Sequence, residues 1–475
     1  MIIEYYTRPA GFVIPEISDP ILRRMDWIMD DPRIHQLVHN DLVPYYQHTQ
    51  MGRRPVPVEV IRRIVVLRRY KKWPYRQAEM EIKDGPVYRY WVRIYDHPVP
   101  DYSTMNELER RIRPPTLHLI NDRLMVLAQE YAITQGYKLR LDSSVTESNI
   151  HYPTDSSLLV DGVRVLSRLL ERAKAILEPG SGLPNRTFSN HTRSARRHSR
   201  HIGHLTRPGR KKTRKQPPEN ALRREYADLI NITRTSVKQA HQVLPALQAH
   251  PDNMNAIGLA CQLETFVPLV ECAIAQAVRR ILNGEQVPAS DKVVSLFEPH
   301  TQIIRRGKAR PHDTEFGHKI RYAEVEKGLI ADWQLMAEGN PPDAPYLPTA
   351  LYRHQELFEH APDVLATDRH FFTPANENLA RQLNIKHIAL PHTGHLSPEQ
   401  REYQSQAWFR KAQRFRSGIE GRISVVRRTV QLTRCPYHGL AGAERWTGWG
   451  IIVANSVILA RELNRPHRRR AKRRV

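Results

Sequence analysis

Three acidic residues lie in sequence settings where a carboxylate could do chemistry. Asp142 follows a short strand-like run (137–141), Asp368 follows an apolar run (364–367), and Glu420 lies in a helical stretch. Carboxylates that meet can hold two hard divalent cations about 4 Å apart, which activate the attacking oxygen and stabilise the leaving oxygen in a displacement at phosphorus. Because like charges repel, a protein keeps carboxylates together only where a cation offsets the cost. The pattern therefore predicts a two-metal site if the fold brings the three together.

Basic residues accompany the third acid. Arg416 precedes Glu420 by four residues and Arg427 follows it by seven, so all three share one helical face. These arginines are predicted to contact substrate phosphate. Lys319, in "EFGHK", is a further candidate for a phosphate contact, although a solvated strand lysine fits its setting equally well.

Each acid also has a simpler interpretation. Asp142 could cap a turn, and Glu420 could form an ordinary surface ion pair with Arg416. Neighbouring acids compete for the other two positions. The alternatives are Asp155 for Asp142, and Asp363 or Asp332 for Asp368.

Residues 1–135 precede these acids and are predicted to be helical. Short helices are expected at about 57–71, 75–84 and 103–112, separated by Trp73-Pro74 and Gly85-Pro86. Basic residues and aromatic residues alternate here, which favours a helix-turn-helix-like DNA-binding domain. A small helical bundle with a solvated basic face is the alternative. The predicted DNA contacts are Arg62, Arg63, Arg68 and Arg69.

Other segments extend the predicted DNA-binding surface. Residues 164–290 are predicted to form a helical insertion that carries a basic loop at 193–215, where ten Lys or Arg occur without an acid. The tail at 465–475 is also polybasic. Phosphate contacts are predicted there as well, and those of the insertion are Arg196, Arg197, Arg210, Lys211 and Lys212.

The overall composition favours a polyanionic partner. Lys and Arg number 73 against 49 acids, giving a net charge of +24 in 475 residues, and nucleic acid is the commonest partner of so basic a chain. The longest uncharged run, 446–460, suits a buried helix and is too short to cross a membrane. No export signal is predicted, because the first residues lack a basic flank followed by an apolar core. No disulfide framework is predicted, since only three cysteines occur.

Several motifs resemble those of one enzyme family. "LDSSVTESNIHYPTDSSLLVDG", "SLFEPHTQIIRRGKARPHDTEFGHKI", "EGNPPD" with "VLATDRHFF", and "RFRSGIEGRISVVRR" are similar to motifs of DDE-type bacterial insertion-sequence transposases of the RNase H-like superfamily, closest to the ISNCY-like group. The chain departs from the pattern at Gln413, where a tyrosine is expected, at Arg427, where a lysine is expected, and at His370, where glycine is common.

The resemblance implies an α/β fold: an RNase H-like catalytic core (136–163 plus 291–464), a mixed sheet flanked by helices, behind an N-terminal all-α domain. It implies Asp142, Asp368 and Glu420 as catalytic metal ligands for two Mg²⁺ ions, for which Mn²⁺ can substitute. The implied partners are double-stranded DNA, both terminal inverted repeats and target, and a second copy of the chain or a larger assembly. No membrane is implied, and the bacterial cytoplasm is the expected location.

Two other functions remain open at this point. The chain could be a transposase-derived DNA-binding protein that no longer cuts, or an RNase H-like nuclease that needs no terminal repeat.

Overall fold

The computed structural model describes residues 5–47, 55–177, 188–207, 219–305, 314–337, 339–392 and 394–465. The fold is mixed α/β, with a mixed sheet flanked by helices, as predicted at that level. The chain forms two compact units, residues 1–149 with 317–475, and residues 150–316. This division is coarser than the four-part division predicted from the sequence, which stays a prediction.

Helices are numbered in chain order. They are α1 (Pro20–Met29), α2 (Pro32–Gln47), α3 (Val58–Lys71), α4 (Tyr75–Asp84), α5 (Pro86–Trp91), α6 (Tyr102–Arg111), α7 (Pro114–Glu130), α8 (Asp155–Ile176), α9 (Thr192–Thr206), α10 (Glu219–Gln248), α11 (Met254–Ala277), α12 (Tyr346–Phe358), α13 (Pro374–Gln382), α14 (Pro398–Ser405), α15 (Ala407–Thr429) and α16 (Leu440–Asn464). The strands are β1 (Lys138–Ser148), β2 (Gln302–Arg305), β3 (Thr314–Glu324), β4 (Ile330–Leu335), β5 (Val364–Ala366), β6 (His387–Ala389) and β7 (Arg434–Cys435).

The three short N-terminal helices predicted from the sequence are confirmed as α3, α4 and α6, within a residue at each end. Turn residues set these limits. Pro74 cannot continue α3, and the Asp101 side chain accepts a hydrogen bond from the Thr104 backbone N–H at the start of α6. Helix α5, which begins at Pro86, was not predicted.

The sheet of the first unit is built around β1. Strand β3 pairs with it antiparallel on one side, β5 pairs with it parallel on the other, and β6 continues in parallel beyond β5. Strand β4 pairs antiparallel with β3, and β7 pairs with the end of β1. Because side chains alternate along a strand, Leu139 and Leu141 enter the main core while Arg140 and Asp142 face the other side.

The predicted DNA surface on α3 is wrong, because Arg62, Arg63, Arg68 and Arg69 are buried, none more than 4 % exposed. Every residue from Val58 to Arg69 is buried, since helix α3 packs inside a core shared by the N-terminal helices and the sheet. These arginines are paired within the protein. Arg63 donates to Asp26 and Glu59, and Arg69 donates to the Trp446 carbonyl.

The second unit has a separate apolar core formed by α8 to α11. The long helices α10 and α11 lie within the segment 164–290, which was predicted to be helical. The N-terminal part of the predicted basic loop is instead helix α9, because Ala195 and Ile202 lie on one helical face and bury in this core. Residues 208–215 of that loop and the tail 466–475 lie outside the described residues.

Among the described residues, one helical stretch, Met254–Leu282, is long and apolar enough to cross a membrane by length and composition alone. One of its faces is buried in the core of the second unit. The predicted absence of a membrane partner stays a prediction.

Candidate active site

Asp142 and Asp368 come from neighbouring parallel strands. Their strands pair in register up to Arg140 and Ala366, and each aspartate lies two residues beyond that pair. The same offset brings both carboxylates to one face of the sheet, level with each other just beyond the end of β5. The predicted strand ended just before Asp142, but pairing with β3 extends β1 to Ser148, so Asp142 lies within the strand. Strand β5 does end before Asp368.

Helix α15 passes across these strand ends and carries the third acid. The Gln413 side-chain amide donates to the Thr367 carbonyl at 3.2 Å and to the Ala389 carbonyl at 2.8 Å, which fixes the helix against β5 and β6. The Arg140 guanidinium donates to the Phe415 carbonyl. A Cβ at position 418 would lie 2.7 Å from its Nη1 atom, so a larger residue than Gly418 would displace this guanidinium.

The structure brings all three predicted acids around one guanidinium. Arg416 Nη1 lies 3.1 Å from Glu420 Oε1, and its Nη2 lies 3.6 Å from Asp142 Oδ2 and 3.9 Å from Asp368 Oδ2. The Asp142 side chain is 12 % exposed and that of Glu420 is 65 % exposed. The site is therefore closed on the strand side and open to solvent on the helix side.

Hydrogen bonds fix the two aspartates. Asp142 Oδ1 accepts from the Ser143 backbone N–H at 2.7 Å. Asp368 Oδ1 accepts from the His370 backbone N–H at 2.8 Å, and its Oδ2 lies 3.1 Å from the His370 ring Nδ1. One oxygen of each aspartate is thus held by the backbone, while Asp142 Oδ2 faces Arg416.

Burial dominates the electrostatics of the strand acid. The pKa of the Asp142 carboxyl is raised to about 6, chiefly because burial removes water from the charged form. The Ser143 N–H and Arg416 lower this pKa, while the carboxylates of Asp368 and Glu420 raise it. Asp142 is therefore a carboxylate whose negative charge is only partly compensated by its protein neighbours.

The donor set fits a hard divalent cation, because it consists of carboxylate oxygens that repel one another. Within the described ranges, however, no group of three or more His, Cys, Asp or Glu side chains is arranged as a metal site. The Arg416 guanidinium lies among the three carboxylates. A bound metal would thus require this side chain to move.

The Asp142→Asn variant is expected to stabilise the metal-free protein above pH 6. The folded pKa of about 6 exceeds the ordinary 3.8, so the folded state binds the extra proton and loses stability as pH rises from about 4 to 6. Two pKa units correspond to about 3 kcal/mol. Denaturant unfolding in EDTA should show the variant more stable by up to that amount at pH 8, with no gain at pH 4. A less stable variant at pH 8 would show that attraction to Arg416 outweighs burial.

The competing acids have other partners. Asp155 accepts from Gln276 at 2.8 Å and from Arg280 at 3.0 Å within the second unit. Asp363 precedes β5, at the opposite end from Asp368, and pairs with Lys386. Asp332 accepts from the Tyr346 hydroxyl. Each of these carboxylates has its own protein partners, whereas Asp142, Asp368 and Glu420 share one positive charge, that of the Arg416 guanidinium.

The structure does not bring Lys319 to the acids. Lys319 pairs with Val145 across the ladder and Asp142 with Tyr322, so an odd offset puts Lys319 on the opposite face. Its ammonium lies 2.9 Å from Asp343. The predicted phosphate contact of Lys319 at this site is therefore wrong, because the register turns the side chain away.

The remaining predicted DNA contacts differ in accessibility. Arg427 is half-buried two turns beyond Glu420, and its Nε lacks a hydrogen-bond partner in the described part of the chain. Arg196 and Arg197 are exposed on α9. Arg210, Lys211 and Lys212 lie outside the described residues.

Two positioning residues were missed from the sequence, Arg140 and Gln413. Arg140 lies two residues before Asp142, so strand alternation alone would have put both on one face. Gln413 lies one turn before Arg416 on the same helical face. Their spacing was a usable signal, although their backbone partners on other elements were not visible in it.

Comparison with known proteins identifies the N-terminal part of the chain. Residues 14–111, about a fifth of the chain, match the family model described as Transposase domain (DUF772). The match supports a transposase. It covers α1 to α6 and none of the three acids, and it supports a DNA-processing enzyme with DNA as its partner in general terms. No curated protein and no solved structure shows significant similarity to the chain.

Proposed function

We propose that the transposase is of the DDE type, with an RNase H-like core in which Asp142, Asp368 and Glu420 are the catalytic metal ligands. The observation that carries the proposal is the gathering of these three acids, distant in sequence, around the Arg416 guanidinium. Two aspartates from adjacent strands, one within β1 and one just beyond β5, and a glutamate from a helix packed across them are similar to the arrangement that the sequence resemblance implies.

The proposed reaction has two displacements at phosphorus. Water attacks the phosphodiester at the transposon end, and the departing 3′ oxygen leaves as a hydroxyl. That hydroxyl then attacks a target phosphodiester, releasing a target 3′-hydroxyl, with no covalent protein intermediate. Two Mg²⁺ ions, or Mn²⁺ in their place, would supply activation of the attacking oxygen and stabilisation of the leaving one.

The protein residues hold and orient the reactants in this proposal. Asp142 and Asp368 offer oxygens from one face of the sheet, and Glu420 offers an oxygen from α15. Arg427, half-buried on the same helix, is the other arginine proposed to contact a DNA phosphate. The opening on the helix side admits the DNA backbone.

The proposed DNA partners are double-stranded transposon ends and target DNA, bound by a homodimer or larger assembly in the bacterial cytoplasm. The net charge of +24 and the N-terminal transposase domain support DNA binding. Because the α3 arginines are interior, exposed cations elsewhere, such as Arg76 on α4, are better candidates for contacts. A helix-turn-helix-like role for this domain remains part of the proposal.

A cleavage assay tests the proposal. The purified full-length chain is incubated with duplex DNA copied from the flanks of its gene, with Mg²⁺ or Mn²⁺, and with EDTA and a shuffled duplex as controls. We expect metal-dependent cutting at a defined position in the flank, and the cut should leave a 3′-hydroxyl. Cutting without sequence preference would instead favour an RNase H-like nuclease.

A non-cutting DNA-binding protein is the second candidate, and one observation favours it. No metal-site arrangement occurs among the described side chains, and the Arg416 guanidinium lies among the three carboxylates. Specific binding of the flanking duplex without cutting in either metal would establish this alternative.

The exposed arginines of α9 give a separate prediction about DNA affinity. Arg196→Ala with Arg197→Ala should reduce the slope of log affinity against log salt by about 2 if both contact phosphates, since each contact contributes about 0.9. Fluorescence anisotropy with duplex DNA between 50 and 300 mM salt (roughly the range in which such slopes are measured) would show it. The double lysine variant keeps the charge and is the control. An unchanged slope in the alanine variant would remove α9 from the DNA surface.

A further inference from the structure

We propose that Arg416 is an internal counter-ion that holds the three acids together in the metal-free protein and that divalent-cation binding displaces it. This inference rests on the proposed function, because it concerns the same acids. It assigns Arg416 a role before DNA arrives, in addition to the phosphate contact predicted from the sequence.

The contacts between Arg416 and the three acids are charge attractions, and two of the three are longer than a hydrogen bond. Only the Glu420 oxygen, at 3.1 Å, lies within hydrogen-bond distance of the guanidinium; the Asp142 and Asp368 oxygens lie at 3.6 and 3.9 Å. No acid forms the two-pronged pair that makes arginine–carboxylate contacts strong. One positive charge is therefore shared among three negative charges.

The guanidinium is also incompletely satisfied. The Arg416 side chain is 18 % exposed, and its Nε is buried without a hydrogen-bond partner in the described residues. An unpaired buried donor costs free energy, which weakens the hold on this position. Since Glu420, its nearest partner, is largely exposed, that ion pair adds little to anchor Arg416.

A divalent ion competes directly for the same oxygens. Mg²⁺ binds carboxylate oxygen at about 2.0–2.1 Å and carries twice the charge, so its attraction to the acids exceeds that of a guanidinium at the observed distances. The guanidinium already lies within 3.1–3.9 Å of an oxygen of each acid, so a metal ion bound by the three carboxylates would come against its charge. Metal entry therefore requires the long Arg416 side chain to rotate away.

Displacement would leave the guanidinium free beside the site. Phosphate oxygens are strong partners for arginine, and a bound DNA backbone would offer them at the open helix side. Arg416 would then favour DNA contact only after metal loading. Without metal, Arg416 would offset the repulsion among the three acids. With metal bound, the released guanidinium would support DNA binding.

The test measures Mn²⁺ binding and stability without DNA. Arg416→Gln is compared with wild type and with Arg414→Gln, an exposed arginine of the same helix, in full-length protein. Free Mn²⁺ is followed by electron paramagnetic resonance at pH 7.5, and melting temperature is recorded in EDTA. The Arg416 variant should bind Mn²⁺ at least five-fold more tightly and melt several degrees lower in EDTA, while the Arg414 variant should match wild type.

The outcomes separate the two proposals. If wild type binds Mn²⁺ and Arg416→Gln binds it equally or more weakly, the counter-ion role is overturned while the metal site stands. No Mn²⁺ binding by either protein overturns both. Binding by the variant alone would show that Arg416 blocks the acids and would overturn its displacement by the metal alone. An unchanged melting temperature in EDTA would contradict the claim that Arg416 holds the acids together.

Discussion

Replacing any one of the three acids is expected to reduce metal-dependent strand cutting by about 10³-fold, a loss of roughly 4 kcal/mol of transition-state stabilisation. The variants are Asp142→Asn, Asp368→Asn and Glu420→Gln. Each replaces a charged oxygen by a neutral amide of nearly the same shape, so the sheet edge and α15 keep their packing. Because the acids act as one unit, the double variants should lose little more than the single ones.

The control separates chemistry from folding and DNA binding. Glu402→Gln removes an exposed carboxylate on the neighbouring helix α14 and should retain full cutting. DNA affinity of the triad variants should stay within about three-fold of wild type at moderate salt, because phosphate contacts come from other side chains. A triad variant that cuts at more than a tenth of the wild-type rate would remove that residue from the metal site.

The second large effect is expected on stability, at Glu109. This fully buried carboxylate accepts from Arg68 at 2.9 Å and from the Tyr75 hydroxyl at 2.7 Å, and it also accepts from the Tyr437 hydroxyl. Arg68 is itself buried and lies 3.9 Å from the Tyr75 ring centre. Glu109→Ala would leave this guanidinium uncompensated in the core, which costs about 3–5 kcal/mol.

Denaturant unfolding of the full-length chain would measure the loss. Glu107→Ala, on the same helix, is the matched control: its partner Arg111 and Glu107 itself are half-exposed, so its removal should cost at most about 1 kcal/mol. Removing both charges with Arg68→Met and Glu109→Met should be less harmful than Glu109→Ala alone, because no charge then remains unpaired. Equal losses at Glu109 and Glu107 would contradict a buried network.

The N-terminal helices illustrate a limit of pattern reading. Their ends could be predicted from Pro74 and Asp101, because capping and proline geometry act locally. Which face of each helix is buried could not be predicted from the sequence. The arginines of α3 have the composition of a DNA surface, yet burial by other helices makes them internal ion partners. Charge in a sequence thus predicts a partner of opposite charge without deciding whether that partner is DNA or Glu109.

Helix α9 shows the converse case. A run of ten basic residues predicts repulsion and an open loop, but two apolar residues seven positions apart, Ala195 and Ile202, bury enough surface to order its first part as a helix. Helix α9 also gains a polar contact from another helix, because Glu225 of α10 lies beside His198. Long-range packing therefore overrode local charge density.

The sequence by itself determined which side chains carry the candidate chemistry: three acids, two after strand-like runs and one on a helix with arginines at helical spacing. Those signals are local, since strand alternation and the helical period fix which neighbours share a face. The tertiary structure alone decided that these acids meet, because the β1–β5 register joins strands more than two hundred residues apart and the Gln413 contacts attach α15 to β5 and β6. It also decided that Arg416 lies among them and that Lys319 faces away, since both depend on the pairing of strands and helices and not on spacing along the chain.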